Sequence, residues 1–200
     1  MSVTLPVIGT PSWGTPLNSA LSTLAHDGFD ANDHGLIMWN YDVVQISSSA
    51  VPTSGQLRLI RLPDLTQSRT VTSVAMHINT APVGGTAGQN FVGLYSSTGT
   101  RLAQSADCTV DFSTAGAKLI ALTAPYAAVP GRYYVGILAN AATPAAFGHC
   151  SSIATSVANF NLATALSRFA NGPSAQTTLP ATVTMASVTP SLNATWAGIA

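Results

Sequence analysis

Between Gln56 and Thr189 the chain never keeps one hydrophobic period for long. Short apolar or alternating runs follow one another, each closed by Gly, Pro, Ser, Thr, Asn or Asp. Seven such stretches stand out: 56–62, 70–78, 90–105, 117–123, 131–140, 147–155 and 181–189. The stretch 90–105 forms a hairpin around Ser97–Thr100, and 131–140 is entered through a Pro130-Gly131 turn. Their Thr, Val, Ile and Tyr content suits extended backbone. Many short strands with polar turns predict an all-β protein, an antiparallel β-sandwich of jelly-roll type with seven or eight strands.

Alternation assigns faces. In "QLRLIRL", Leu57 and Leu59 oppose Ile60 and Leu62, so both sides of that strand are covered. Residues Tyr133 and Tyr134 are neighbours on one strand, so one is expected to point inward and the other outward. Trp39, Tyr41, Tyr95, Tyr126, Tyr133 and Tyr134 could each stack on sugars, though packing in a core or interface is the commoner fate of all six. Tyr95, Tyr133 and Tyr134 are the candidates for stacking on a ligand.

The first 35 residues read differently from this body. "LPVIGTPSWGTPLNSALSTLAHDG", Leu5 to Gly28, is apolar and broken by Pro and Gly. Thr15 can cap a short helix with Pro16 at its first position. Leu17, Ala20, Leu21 and Leu24 then share one face. So short a helix is marginal alone and needs a surface to cover its leucines. Residues 1–35 are therefore expected to be an anchoring arm, with Ile8, Trp13, Leu17, Leu21 and Leu24 as its partner-binding residues. Residues 36–200 are expected to form the sandwich, ending in a Ser/Thr/Pro-rich segment.

Charge narrows the partners. Only 7% of residues are charged, where about 25% is usual. Glu is absent, Lys118 is the single lysine, and the net charge is zero. A chain this neutral has no basic patch to neutralise phosphates, which argues against nucleic acid. So few charges also protect a monomer poorly against association, which suits a component of an assembly. No apolar run is long enough for a membrane helix, and the start lacks the marks of a signal peptide. Cys108 and Cys150 have neither disulfide-framework nor metal spacing and are expected to be buried thiols.

No stretch carries a catalytic signature. Glycoside hydrolysis needs two carboxylates at a set separation, and only seven Asp are available. Asp107 and Asp111 near a hairpin end are expected to make turn and capping hydrogen bonds. The polar cluster "HDGFDANDHG", His26 to Gly35, lacks EF-hand spacing and a bidentate Glu, and suits a hinge built from Asx-turns. A Ser-His-Asp triad using His77 or His149 is not ruled out by spacing, though no G-x-S-x-G is present. His149 and Cys150 are consecutive on a strand and point apart. "GGTAG", Gly84 to Gly88, is expected to be a flexible loop, and no Walker A motif is present. The expectation is a non-enzyme with no catalytic residues, no metal and no cofactor.

Two pieces resemble known proteins. Trp13-Gly14, Leu17-Asn18, Leu21 and Leu24 resemble the N-terminal segments of tail-fibre and minor tail proteins of tailed bacteriophages. The hairpin Gly93 to Ala103 and the later Pro130 to Val135 are similar to a β-sandwich module of tail proteins from phages of actinobacteria and related hosts. The similarity covers about residues 5–25 and 89–150. It implies a virion protein, assembled in the host cytoplasm and anchored through residues 1–30. The sandwich would be displayed outward, commonly as a homotrimer, with a host-surface glycan as a possible ligand. Long coiled coils, shaft repeats and the His-x-His motif of fibre tips are missing, which would make any fibre short. A capsid decoration or head-fibre protein is one alternative. A carbohydrate-binding module or small glycan hydrolase is the other.

Overall fold

A computed structural model describes residues 29–150 and 157–200. The arm helix, with Ile8, Trp13, Leu17, Leu21 and Leu24, lies outside the described residues. So does the far half of the 147–155 stretch.

The strands follow in order: β1 (Met38–Trp39), β2 (Ser48–Ala50), β3 (Arg58–Arg61), β4 (Arg69–Thr80), β5 (Val83–Gly85), β6 (Phe91–Ser96) and β7 (Arg101–Gln104). One helical turn, Thr109–Phe112, precedes β8 (Gly116–Ala128), β9 (Tyr133–Leu138), β10 (Ala141–Thr143) and β11 (Ala146–His149). β12 (Phe169–Asn171), β13 (Thr189–Pro190) and β14 (Ala197–Ile199) complete the chain. The pairings are antiparallel. One six-stranded sheet runs β1-β14-β4-β11-β2, with β8 on the other edge of β4. A second runs β13-β12-β3-β9-β6-β7, and β5 pairs with β10 in a separate ribbon. The all-β, antiparallel expectation holds.

Both large sheets contribute to one apolar cluster. Val74, Met76, Ile78, Phe147 and Ile199 come from the first; Ile60, Val92, Leu94, Val135 and Ile137 from the second. The β-branched residues alternate inward along each strand, as period-2 geometry requires. Phe112 enters the same cluster from the helical turn and meets Phe147 edge-on, with ring centroids 5.5 Å apart.

The second sheet is apolar on its other face as well. Leu57, Leu59, Tyr95, Tyr134 and Leu138 are buried there against Leu179, Val183, Met185 and Val188. The Ser/Thr/Pro-rich C-terminal segment is the cover. This corrects two expectations. Residues 181–189 are not one strand: Thr189 opens β13, while Thr182 makes an isolated antiparallel bridge with Thr100, where Val183 N–H donates to the Gly99 carbonyl and Arg101 N–H to the Ala181 carbonyl, both at 2.8 Å. The chain then turns through a 3₁₀ segment, Met185–Ser187. Its apolar residues dock onto the second sheet, and the segment meets the β6–β7 hairpin through that single bridge. Nor does either of Tyr133 and Tyr134 point outward, because both faces of β9 are covered.

Smaller corrections concern turns. Gly84 and Gly85 belong to β5, paired with β10, rather than to a flexible loop. β4 and β8 are long, 12 and 13 residues, not short. Their pairing shifts register between Val71 and Ser73, which lets one pair span the length of the sheet.

An ion pair ties the loop after β3 to the entry of β9. Arg132 Nε and Nη2 donate to the two Asp64 oxygens, both at 3.0 Å. The hydrogen bonds from Arg132 hold the Asp64 carboxyl below its ordinary pKa. A carboxylate depressed in the folded state adds stability above its unfolded pKa and loses it as pH falls through the folded value. Asp64 is half exposed, so the effect is at most about 1 kcal/mol. Asp64→Asn is therefore expected to lower the melting temperature slightly at pH 7 and not at pH 2. Equal losses at both values would contradict this.

Candidate functional site

A concavity of about 710 Å³ lies on the outer face of the first sheet. Its floor follows from strand alternation. Val74, Met76 and Ile78 of β4 point into the core, so Ala75, His77 and Asn79 point out. Ala75 is covered by Ala31, Leu36 and Trp196. Beyond that cover the groove opens, and His77 and Asn79 line it.

His77 lies against the backbone of β11. A Cβ at Gly148 would come within 2.9 Å of both His77 Nδ1 and Ile46 Cγ2, so only glycine leaves room for the ring. His77 Nδ1 is buried and has no hydrogen-bond partner. The Asn79 amide is oriented by donating to Ser49 Oγ at 3.1 Å. Ser47, Ser48 and Ser49 form one wall, and Ala117 of β8 the opposite edge.

The remaining wall comes from residues 30–46. Asp30 Oδ1 accepts the Asn32 N–H at 2.7 Å, and Asp33 Oδ2 accepts the Asp30 N–H at 2.9 Å. These bonds shape a 3₁₀ turn, Asn32–His34, closed by Gly35 at φ 69°. The Asx-turn expectation for this part of the polar cluster holds; His26 and Asp27 lie outside the described residues. The turn delivers His34 to the groove, where it meets Trp39 with centroids 5.2 Å apart. Trp196 is fixed from behind by its Nε1–H bond to the Tyr41 carbonyl, 2.9 Å.

None of the described lining residues is Asp, Glu, Lys or Arg. Among the described lining residues, His77 has no carboxylate beside it. His149 falls on the other side of its sheet, with Phe147, and its Nδ1 contacts the Cys150 carbonyl. The groove presents hydroxyl, amide and imidazole groups beside apolar surface.

The three tyrosines proposed for ligand stacking are buried: Tyr95 at 0%, Tyr133 at 4% and Tyr134 at 1% exposure. Each hydroxyl donates to a backbone carbonyl: Tyr95 to Pro180 (2.9 Å), Tyr133 to Val129 (2.7 Å), Tyr134 to Ala165 (3.0 Å). They are packing residues with satisfied tips. Alternation counts faces but does not reveal that the C-terminal segment covers the second one.

Asp107 is a local anchor, as its turn position implied. Burial alone would raise its pKa. Hydrogen bonds from the Gly88, Asn90 and Thr109 backbone and the Thr109 hydroxyl outweigh this and hold the carboxyl below its usual range. Asp111 sits in the following helical turn. Cys108 is buried, and desolvation pushes its thiol up to about 11. Cys150 is only half-buried, against expectation.

No protein-family model and no curated protein sequence matches the chain. Among the described residues, no helix is long and apolar enough to cross a membrane.

Proposed function

We propose that this chain is a structural, non-enzymatic assembly subunit: a face-to-face jelly-roll-like sandwich carried on an N-terminal anchoring arm. The setting is the virion of a tailed bacteriophage, as a tail-fibre or minor tail protein, a homotrimer that meets the host surface. The resemblance of residues 5–25 and 89–150 supports that setting. The sharing of one apolar cluster by two six-stranded sheets supports the sandwich.

One observation carries the assembly reading. Phe29, Val44, Val110 and Phe160 are each at least 80% exposed, on a chain with only 7% charged residues. Scattered exposed apolar residues are ordinary, but charge normally keeps such a surface apart from its copies. Here repulsion is nearly absent, so contact with other subunits is the state that satisfies the surface.

Mass measurement of the purified chain is expected to give an oligomer, with a trimer the favoured state. Removing residues 1–25 is expected to leave a folded body that no longer incorporates into particles. A full-length chain that stays monomeric at high concentration would refute the assembly part. A truncated body that fails to fold would refute the arm.

A further inference from the structure

We propose that the groove over His77 binds a neutral, polyhydroxylated ligand, a short saccharide. The proposal rests on reading the body as a displayed surface and names the site and ligand class within it.

Three properties of the groove select this chemistry. The first is charge. With no Asp, Glu, Lys or Arg among the described lining residues, a cation, phosphate or carboxylate would shed hydration without a counter-charge from them, which is unfavourable. Neutral ligands do not meet that penalty.

The second is the polar set. Serine hydroxyls donate and accept, the Asn79 amide does both through two atoms, and the His77 ring, with Nδ1 buried, adds its other nitrogen. Sugar hydroxyls also donate and accept, so this mixture pairs with them in either sense. The Asn79 oxygen makes no hydrogen bond among the described residues, and no hydrogen bond among them reaches the His77 ring. Both have capacity left for a ligand.

The third is the apolar part. Val43, Ile46, Ala117 and Trp196 interleave with the polar groups, as the alternating C–H and O–H faces of a pyranose require. The volume, about 710 Å³, lies within the range of small-molecule sites. His77, Asn79 and Ser49 stand on paired strands, with His77 wedged over Gly148. The groups are thus positioned before any ligand arrives.

The test is ligand-observed NMR followed by titration calorimetry on the full chain. The probes are maltotriose, cellotriose, mannotriose and tri-N-acetylchitotriose, with inorganic phosphate and sialyllactose as charged comparators. At least one neutral trisaccharide is expected to bind, and more tightly than either charged probe. Ala117→Trp fills the groove from an exposed position and should weaken binding about tenfold or more, equivalent to about 1.4 kcal/mol. Asn79→Ala should weaken it severalfold, and Ser97→Trp, in the exposed β6–β7 turn of the other sheet, should leave it unchanged. Circular dichroism confirms that each variant is folded. Absence of binding by all four neutral probes overturns the proposal. So does binding that survives Ala117→Trp, or a preference for a charged probe. Mass measurement on the same samples reports assembly separately: a monomer that binds a trisaccharide refutes the trimer and leaves the site standing, and a trimer that binds none does the reverse.

Discussion

Replacing Phe147 with alanine is expected to remove about 3–5 kcal/mol of stability, the usual range for a fully buried phenylalanine. The residue is 2% exposed and belongs to the cluster shared by the two large sheets. It stands on β11, opposite Ile78 of β4 on one side and Ala50 of β2 on the other. Its edge-on contact with Phe112 adds a term beyond area burial, so the cavity also loosens the helical turn 109–112. A domain holds only about 5–15 kcal/mol in total, so this one change removes a large share. The melting temperature is expected to fall by roughly 6–20 °C. Phe147→Leu should recover most of the loss, because volume-conserving changes are tolerated best. Urea unfolding of both variants checks this; a loss below 1 kcal/mol for the alanine variant would mean the two sheets do not share this core.

The second large effect is expected from Gly99→Ala. Gly99 has φ +86°, and an added Cβ would lie 1.9 Å from the Val183 carbonyl oxygen and 3.1 Å from Met185 Cγ. The left-handed conformation alone disfavours alanine by about 1–2 kcal/mol. The collision pushes away the strip that holds Val183 and breaks its 2.8 Å bond to the Gly99 carbonyl. Total destabilisation of about 2–4 kcal/mol follows. The loss is directional, because it unseats the cover over Leu57, Tyr95 and Tyr134 while leaving the inter-sheet cluster in place. Limited proteolysis should therefore cut residues 172–190 first, and an apolar dye should bind the uncovered face. An unchanged cleavage rate in that segment would contradict the covering role.

Strand positions were legible because alternation is local. Leu57 and Leu59 face one way, Ile60 and Leu62 the other, as the spacing of "QLRLIRL" requires. The hairpin around Ser97–Thr100 was legible for the same reason, since a turn and two flanking runs lie within 16 residues. The site was not. His77 and Asn79 are separated in sequence from Ser47–Ser49, His34 and Trp196, and only the antiparallel pairing of β4 with β11 and β14, and of β11 with β2, brings these surfaces together. A usable signal existed: His77 and Asn79 are polar residues at period-2 spacing, alternating with the apolar Val74, Met76 and Ile78. The tyrosines misled because their exposure depends on residues 172–190, whose Ser/Thr/Pro composition resembles a surface tail.

The sequence by itself determined the class of secondary structure, the antiparallel character and the inward face of most strands, since those depend on nearest neighbours and turn chemistry. It also determined the shortage of charge that any account of partners must meet. The tertiary structure alone decided which strand lies beside which, that a polar-looking segment forms a cover over the second sheet, and that a glycine at 148 opens a groove beneath a histidine. Those outcomes depend on contacts between residues far apart in the chain, selected by how volumes fit together, and a local pattern does not encode them.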